Sequence, residues 1–279
     1  MKSIKTFLAA AVLSLTALTA TAQEQWVVEL NDGSLATFNI DNIKQMYTRT
    51  AEATHDYVEI GGVKWATMNL GATTIAGSPS TCYGDYFACG DTEPRYSSIS
   101  ISNTNSVTFG GWKSTHSSGY VSSDMTSITS TTLDSAHDAA TAIWGTAWRM
   151  PTIYDFQALL KACTGSTSAY TVTALSTSSP TGGIYKLTST QSYLSEYKGV
   201  AGYLFVDKSD TSKRLFFPSA GQIQGTTSAG VGEEGRYWSS TIYSAEKRVG
   251  YIMSLGYSVD ATNAAMWRYM GYSIRPVMK

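Results

Sequence analysis

Residues 134–163 read DSAHDAATAIWGTAWRMPTIYDFQALLKAC, and their reading decides the fold. Phe156, Leu159, Leu160 and Cys163 recur at i, i+3, i+4 and i+7, the spacing of one buried helical stripe. Thr152 stands where an N-cap belongs, and Asp155 three residues on approximates a capping box. The spacing predicts a helix over 152–163. An earlier helix is expected over 135–144, capped by Asp134 or Ser135 and stopped by Gly145, with Ala136, Ala139, Ala140 and Ile143 on one face. Pro151 ends the connector GTAWRMP between them.

Around these helices the chain reads as β-structure and loop. Upstream, YVEIGGVKWATMNLG (57–71) suggests a hairpin turning at Gly61-Gly62. Residues 97–132 are Ser/Thr-rich and poor in apolar anchors, which suits long surface loops with one strand near Val107–Trp112. Downstream, RLFFPSAG (214–221) reads as a buried strand closed by a turn. Val249, Tyr251, Met253, Leu255, Tyr257 and Val259 alternate with smaller residues, so one face should pack and the other stay open. AAMWRYMGYSIRPVM (264–278) supplies the last strand or strands.

The amino terminus carries an export signature. Lys2 and Lys5 precede an apolar run from Phe7 to Leu18, and Ala20 and Ala22 fit cleavage before Gln23. No Cys follows that run, which excludes the lipoprotein route. Residues 1–22 are therefore expected to be a signal peptide, and the mature protein to be periplasmic, cell-surface or extracellular. Residues 23–54 follow as a hairpin and linker. Trp26–Leu30 and Leu35–Ile40 flank a turn at Asn31-Asp32-Gly33, and Arg49–His55 is polar. A lone two-stranded hairpin is marginal in water, so it should dock on the main domain, a partner or another copy. The main domain is expected over 55–279.

Composition bounds the function. Charged residues are 15% of the chain, against about a quarter in ordinary globular proteins, and the net charge is −1. No electrostatic nucleic-acid partner is implied. The three cysteines, Cys82, Cys89 and Cys163, cannot all pair. Cys82 and Cys89 could close a small loop, and Cys163 fits a buried apolar position.

Catalytic readings are weak. Ser239 and Ser240, with His116 or His137 as base, lack a G-x-S-x-G elbow. His55, His116 and His137 are far apart and no Cys pair has zinc spacing. Asp85, Asp91 and Glu93, or Glu233 and Glu234, could offer oxygen to calcium but fit capped turns better. The same glutamates are adjacent, not opposed as glycoside hydrolysis requires. GVGEEG (230–235) places acids where a phosphate would sit. No catalytic residue, metal site or cofactor is assigned, and the chain is expected not to be an enzyme. What remains is a C-terminal third rich in Tyr, Ser, Gly and Asn with Trp and Arg, the composition of adaptable binding surfaces.

The ordered series VEIGGVKWATMNLG, YGDYFACGDTEP, DAATAIWGTAWRMPT, LFFPSAGQIQG, YWSST and GYSIRPV resembles the Fibrobacter succinogenes major paralogous domain family over about Tyr57 to Val277. That resemblance implies an α+β, C-type-lectin-like fold with two helices, antiparallel sheets, long loops and chain ends brought together. Similar domains serve as variable proteins of diversity-generating retroelements, whose changeable ligand contacts would here fall in 238–276. Ligand contacts are accordingly expected at Tyr243, Glu246, Arg248, Tyr257, Asn263, Trp267 and Tyr269. They would take a protein or glycan, with Gly230–Gly235 at the rim and residues from Ile242 onward facing the ligand. Trp65, Trp144, Trp148, Phe156, Leu160, Phe217, Trp238, Ile274 and Pro276 are expected to hold the scaffold. The family usually has Trp where this chain has Cys89, and the calcium-holding lectin motifs are absent; Glu93-Pro94-Arg95 is only a near miss. No Cys follows Cys163, so the reactive cysteine pair of formylglycine-generating enzymes is missing too. The alternative expectation is a cell-surface or fimbrial subunit assembling by strand addition at the N-terminal hairpin.

Overall fold

A computed structural model describes residues 25–29, 35–39, 55–94, 100–101, 107–108, 130–224, 227–247, 249–262 and 264–279. The proposed signal peptide, the Asn31–Gly33 turn, most of the linker, His116 and most of the Ser/Thr-rich stretch lie outside these residues, as do Arg248 and Asn263. The chain divides into two compact units, Met1–Ala51 and Glu52–Lys279. In the first, β1 (Gln25–Glu29) and β2 (Leu35–Asn39) form an antiparallel pair with Gln25 opposite Asn39 and Glu29 opposite Leu35.

The larger unit is mostly antiparallel sheet with few helices, broadly α+β. Its elements are β3 (Tyr57–Ile60), β4 (Val63–Ala66), α1 (Pro79–Cys82), β5 (Ser100–Ile101), β6 (Val107–Thr108), α2 (Ala139–Trp144), β7 (Trp148–Arg149) and α3 (Ile153–Thr164). Then come β8 (Tyr170–Thr171), β9 (Thr173–Ala174), β10 (Gly183–Leu187), β11 (Gly202–Val206), β12 (Arg214–Pro218), β13 (Gln222–Gln224) and β14 (Thr227–Ala229). The last are β15 (Gly235–Ile242), β16 (Val249–Leu255), β17 (Ser258–Asp260), β18 (Ala265–Trp267) and β19 (Val277–Met278).

Three sheets carry the unit. One is β3-β4-β19-β7, in which Val277 pairs with both Trp65 and Arg149, so the two ends of the unit meet. The second is β12-β11-β10-β9, antiparallel except that β9 runs parallel to β10. The third is β15-β16-β17-β8, with β18 also paired to β16.

The first hairpin turns at Gly61 and Gly62, whose φ values of 65° and 76° suit a tight primed turn. A Cβ on Gly61 would lie 2.7 Å from the Ala158 carbonyl oxygen, so a glycine lets the turn press onto α3. That helix carries the full capping box: the Thr152 hydroxyl accepts from the Asp155 N–H, and the Asp155 carboxylate accepts from the Thr152 N–H. Gly165, in left-handed backbone, ends it. Its buried stripe, Ile153, Phe156, Leu159, Leu160 and Cys163, joins Trp65, Phe205, Phe217, Tyr237, Met253 and Leu255 in one core cluster. A second cluster centres on Leu204 and Phe216, and a third on Trp238 and Tyr272.

Helix α2 is shorter than its sequence suggests. It starts at Ala139 with Asp138 as N-cap, because the Asp138 carboxylate accepts from the N–H of both Thr141 and Met150 and so ties the helix to the connector. Asp134 instead caps a separate turn through Ala136 and His137. Only Ala139 and Ala140 of the expected face are buried; Ala136 and Ile143 are exposed. The four-residue α1, opened by Pro79, was not anticipated.

The cysteines form no disulfide: Cys82 and Cys89 are free, buried and in different core clusters. Burial pushes both thiols up to about 12. Of the expected scaffold residues, Trp65, Trp148, Phe156, Leu160, Phe217, Trp238, Ile274 and Pro276 are buried, and Trp144 is half-buried. Arg275 lies fully inside, with guanidinium bonds to Asn69 Oδ1 (2.9 Å) and to the carbonyls of Ala66 (3.0 Å), Thr67 (2.7 Å) and Phe216 (2.9 Å). Its Cζ sits 4.7 Å from the centre of the Phe217 ring. Asn69 extends the network to Tyr83 and Tyr237, and the Tyr237 hydroxyl donates to the Pro218 carbonyl. One side chain thus joins β4, β12 and the C-terminal segment.

Candidate binding surface

The candidate surface grows from hairpin β15–β16. Trp238 anchors it: its indole N–H donates 2.8 Å to the Phe87 carbonyl and its ring lies 4.5 Å from that of Tyr272. The register breaks between Trp238 and Ile242, and the three hydroxyl residues fill the irregularity. Ser239 Oγ donates to the Tyr251 carbonyl (2.8 Å) and Ser240 Oγ to that of Pro151 (3.3 Å). Thr241 Oγ1 accepts from the Ile153 N–H at 3.1 Å. These hydroxyls satisfy backbone groups, and both serines are buried, so neither is placed as a nucleophile. His137 Nδ1 lies 2.7 Å from Asp134 Oδ1 on an exposed turn.

Both faces of β16 are covered, contrary to the open face expected from its alternation. Met253 and Leu255 enter the cluster under α3, while Ile252 enters the Trp238 cluster from the other side. A Cβ on Gly250 would lie 3.0 Å from Cys89 Sγ and 3.2 Å from the Trp238 ring. Ile242 is likewise buried, so the expected outward-facing window is a mixture of core and surface.

The outward residues collect at the tip of the hairpin. Tyr243 N–H bonds the Val249 carbonyl (2.9 Å), and Val249 N–H bonds the Glu246 carbonyl (3.0 Å), which closes the turn. Trp267 on β18 stands opposite Val249, and Ala265 opposite Tyr251. Tyr243 meets Tyr251 edge-on at 5.7 Å, and the rings of Trp267 and Tyr269 run near-parallel, 13° apart at 6.4 Å. Tyr243 is 37% exposed and Trp267 42%; Glu246, Tyr251 and Tyr269 are half-buried.

Buried Arg268 supports this group from below. Its Nε donates to the Cys89 carbonyl (3.0 Å) and Nη1 to that of Lys247 (3.2 Å). Lys247 Nζ reaches the Ser130 carbonyl at 3.3 Å, and Thr131 and Leu133 pair with the outer half of β15. Tyr251 and Arg268 were not among the expected site residues. Tyr251 reads as a packing residue from its alternation, yet it is half-buried, opposite Ala265.

Tyr257 does not join them. It is 85% exposed at the turn between β16 and β17, six residues past Tyr251, or about 20 Å along the strand. The Gly230–Gly235 loop lies at that same far end, so it does not rim the tip. Gly235 opposes Leu255, the Tyr203 hydroxyl donates to the carbonyls of Glu233 and Gly256, and Arg236 bridges Glu234 (2.8 Å) and Ser254 (2.8 Å).

Among the described residues, no group of three or more His, Cys, Asp or Glu side chains could hold a metal ion. Asp85 is held up to about 6 by burial alone. Burial also works against the charge on Asp155, but hydrogen bonds from Arg149 (2.6 and 3.2 Å) and Thr152 outweigh it and keep that carboxyl below its ordinary range. A cavity of about 500 Å³ lies away from the tip, lined by Glu59, Gly61, Asp207, Lys208 and Lys213 among others. Among the described residues, no helix is long and apolar enough to cross a membrane. No protein-family model, curated protein or solved structure matches this chain.

Proposed function

We propose that the chain is an exported, non-enzymatic ligand-binding or adhesion protein, built on a C-type-lectin-like scaffold of the Fibrobacter major paralogous kind. The observation that carries this reading is the gathering of Tyr243, Tyr251, Trp267 and Tyr269 at one sheet end, where buried Arg268, between Trp267 and Tyr269 in sequence, bonds the Lys247 carbonyl of the hairpin tip and the Cys89 carbonyl. Aromatic rings offer rigid contact area at low conformational cost, and a rigid base keeps that cost low. The meeting of β4, β19 and β7, which joins the ends of the unit, and the two helices flanking Pro151 support the lectin-like scaffold. The test is an array of glycans and surface proteins probed with the mature chain and with a Tyr243→Ala, Trp267→Ala, Tyr269→Ala variant. The expected result is a discrete set of ligands lost in the variant; equal capture by both proteins would overturn the assignment of the tip.

The hairpin β1–β2 favours a second reading, assembly by strand addition. It forms a two-stranded sheet within its own unit, and such a sheet is marginal alone. Size-exclusion of the full chain against one lacking residues 23–54 distinguishes the readings. A monomer in both cases would refute assembly through the hairpin.

A further inference from the structure

The start of the larger unit is seated in an aromatic corner. Trp144, the last residue of α2, and Trp148, on β7, stand at 81° with ring centres 5.3 Å apart. The His55 ring lies flat on Trp144, 3.5 Å between centres and 13° between planes, and meets Trp148 edge-on at 5.8 Å. The corner itself is fixed without His55. Gly145 N–H bonds the Thr141 carbonyl, Trp148 N–H bonds that of Gly145, and Trp148 pairs with Met278. The next residue, Asp56, is held through its carbonyl by the N–H and hydroxyl of Thr67, at 3.0 and 3.3 Å.

Among the described residues, the charged groups around this corner are few. Asp56 is the neighbour that acts on the ring. Helix α2 carries no charged residue, and Arg149 of β7 is turned to Asp155. Glu59 and Lys64 oppose each other further along the hairpin, with Lys64 Nζ over the Tyr57 ring, and Lys279 bonds the Ala147 carbonyl through its N–H. Burial against the indoles disfavours a proton on His55 and outweighs the opposing pull of Asp56.

We propose that His55 is an acid-released latch: its uncharged ring, stacked on Trp144, holds His55 and Asp56 against the corner, and protonation lifts the ring away and loosens the Asp56–Thr67 contact. The sign follows from linkage. The seated ring binds its proton less readily than the released ring, so the latch is intact above the ordinary histidine value of 6.5 and weakens as pH falls below it.

The experiment is an NMR titration of the full chain, with the His55 ring signal assigned by His55→Gln, alongside pH-corrected hydrogen exchange of the Thr67 amide. His55 should titrate below 6.5 and move back toward it in Trp144→Ala. Between pH 7.5 and 5, Thr67 exchange should accelerate several-fold, by up to about tenfold for each unit by which the seated value is lowered. In His55→Gln the Thr67 rate should not depend on pH, and the His137 signal reports whether that variant is folded. Titration at or above 6.5 would mean that the cation–indole attraction prevails, and would overturn the latch. So would a Thr67 rate in the native chain that does not change with pH.

Discussion

Replacing Arg275 should cost more stability than replacing any residue of the hairpin tip. Its guanidinium makes four hydrogen bonds in a fully buried setting, and the charge has no carboxylate among those partners. An acceptor stranded by losing a buried donor costs about 1–3 kcal/mol. Three of the four acceptors here are backbone carbonyls with a second lone pair, so the low end applies. Arg275→Ala should therefore lose about 4 kcal/mol from bonds alone, with a further cavity term. Whole domains are stable by only about 5–15 kcal/mol. Arg275→Lys keeps a charge and up to three donors but not the planar fork, so about half that loss is expected. Urea unfolding with an unchanged slope is the assay, since the midpoint then reports stability directly. For a unit of this size the melting temperature of the Ala variant should fall by about 8–16 °C. Arg275→Met decides the reasoning. If it is as stable as the native chain, the buried bonds contribute nothing net beyond the cost of burying the charge, and Arg275 is not a clamp.

Other outcomes follow from the same geometry. Gly62→Ala should cost about 1 kcal/mol for its positive φ, and Gly61→Ala at least twice that, because its Cβ also meets the Ala158 oxygen; equal melting temperatures would refute the close approach to α3. A thiol reagent should find no reactive cysteine in the folded protein and three after unfolding without reductant. The fold stabilises the charged form of Asp155, so its contribution is full at neutral pH. It fades as pH drops below the ordinary carboxyl range, and Asp155→Asn should flatten that acid limb of the stability curve.

Helix α3 is legible to within a residue because two signals coincide there, a capping box and an unbroken apolar stripe; Gly165 closes it in the structure. The start of α2 is ambiguous in sequence because Asp134, Ser135 and Asp138 are all competent caps. The choice among them rests on a tertiary bond, from the Met150 N–H to Asp138. Alternation in 249–259 identifies β16 but runs on through the Gly256-Tyr257 turn into β17, and it does not show that Trp238 and Gly250 fill the second face. The burial of Arg275 is not legible in sequence, since an arginine beside Ile274 and Pro276 carries no sign of it; its four acceptors come from segments about 60 and 210 residues away. The tip was legible as composition, but its membership depends on register. Opposition of Trp267 to Val249 draws Trp267 and Tyr269 to Tyr243, while the length of β16 removes Tyr257.

The most direct test of the division between scaffold and surface is paired measurement of melting temperature and ligand affinity on Trp267→Ala and Trp238→Ala. Trp267 is 42% exposed at the tip, whereas Trp238 is fully buried and bonded to Phe87. Trp267→Ala should weaken binding by about 30-fold, as loss of an aromatic contact of about 2 kcal/mol would, with a melting temperature within a few degrees of the native chain. Trp238→Ala should lose about 3–5 kcal/mol of folding stability. A Trp267→Ala protein that unfolds like Trp238→Ala, or that binds as tightly as the native chain, would contradict that division.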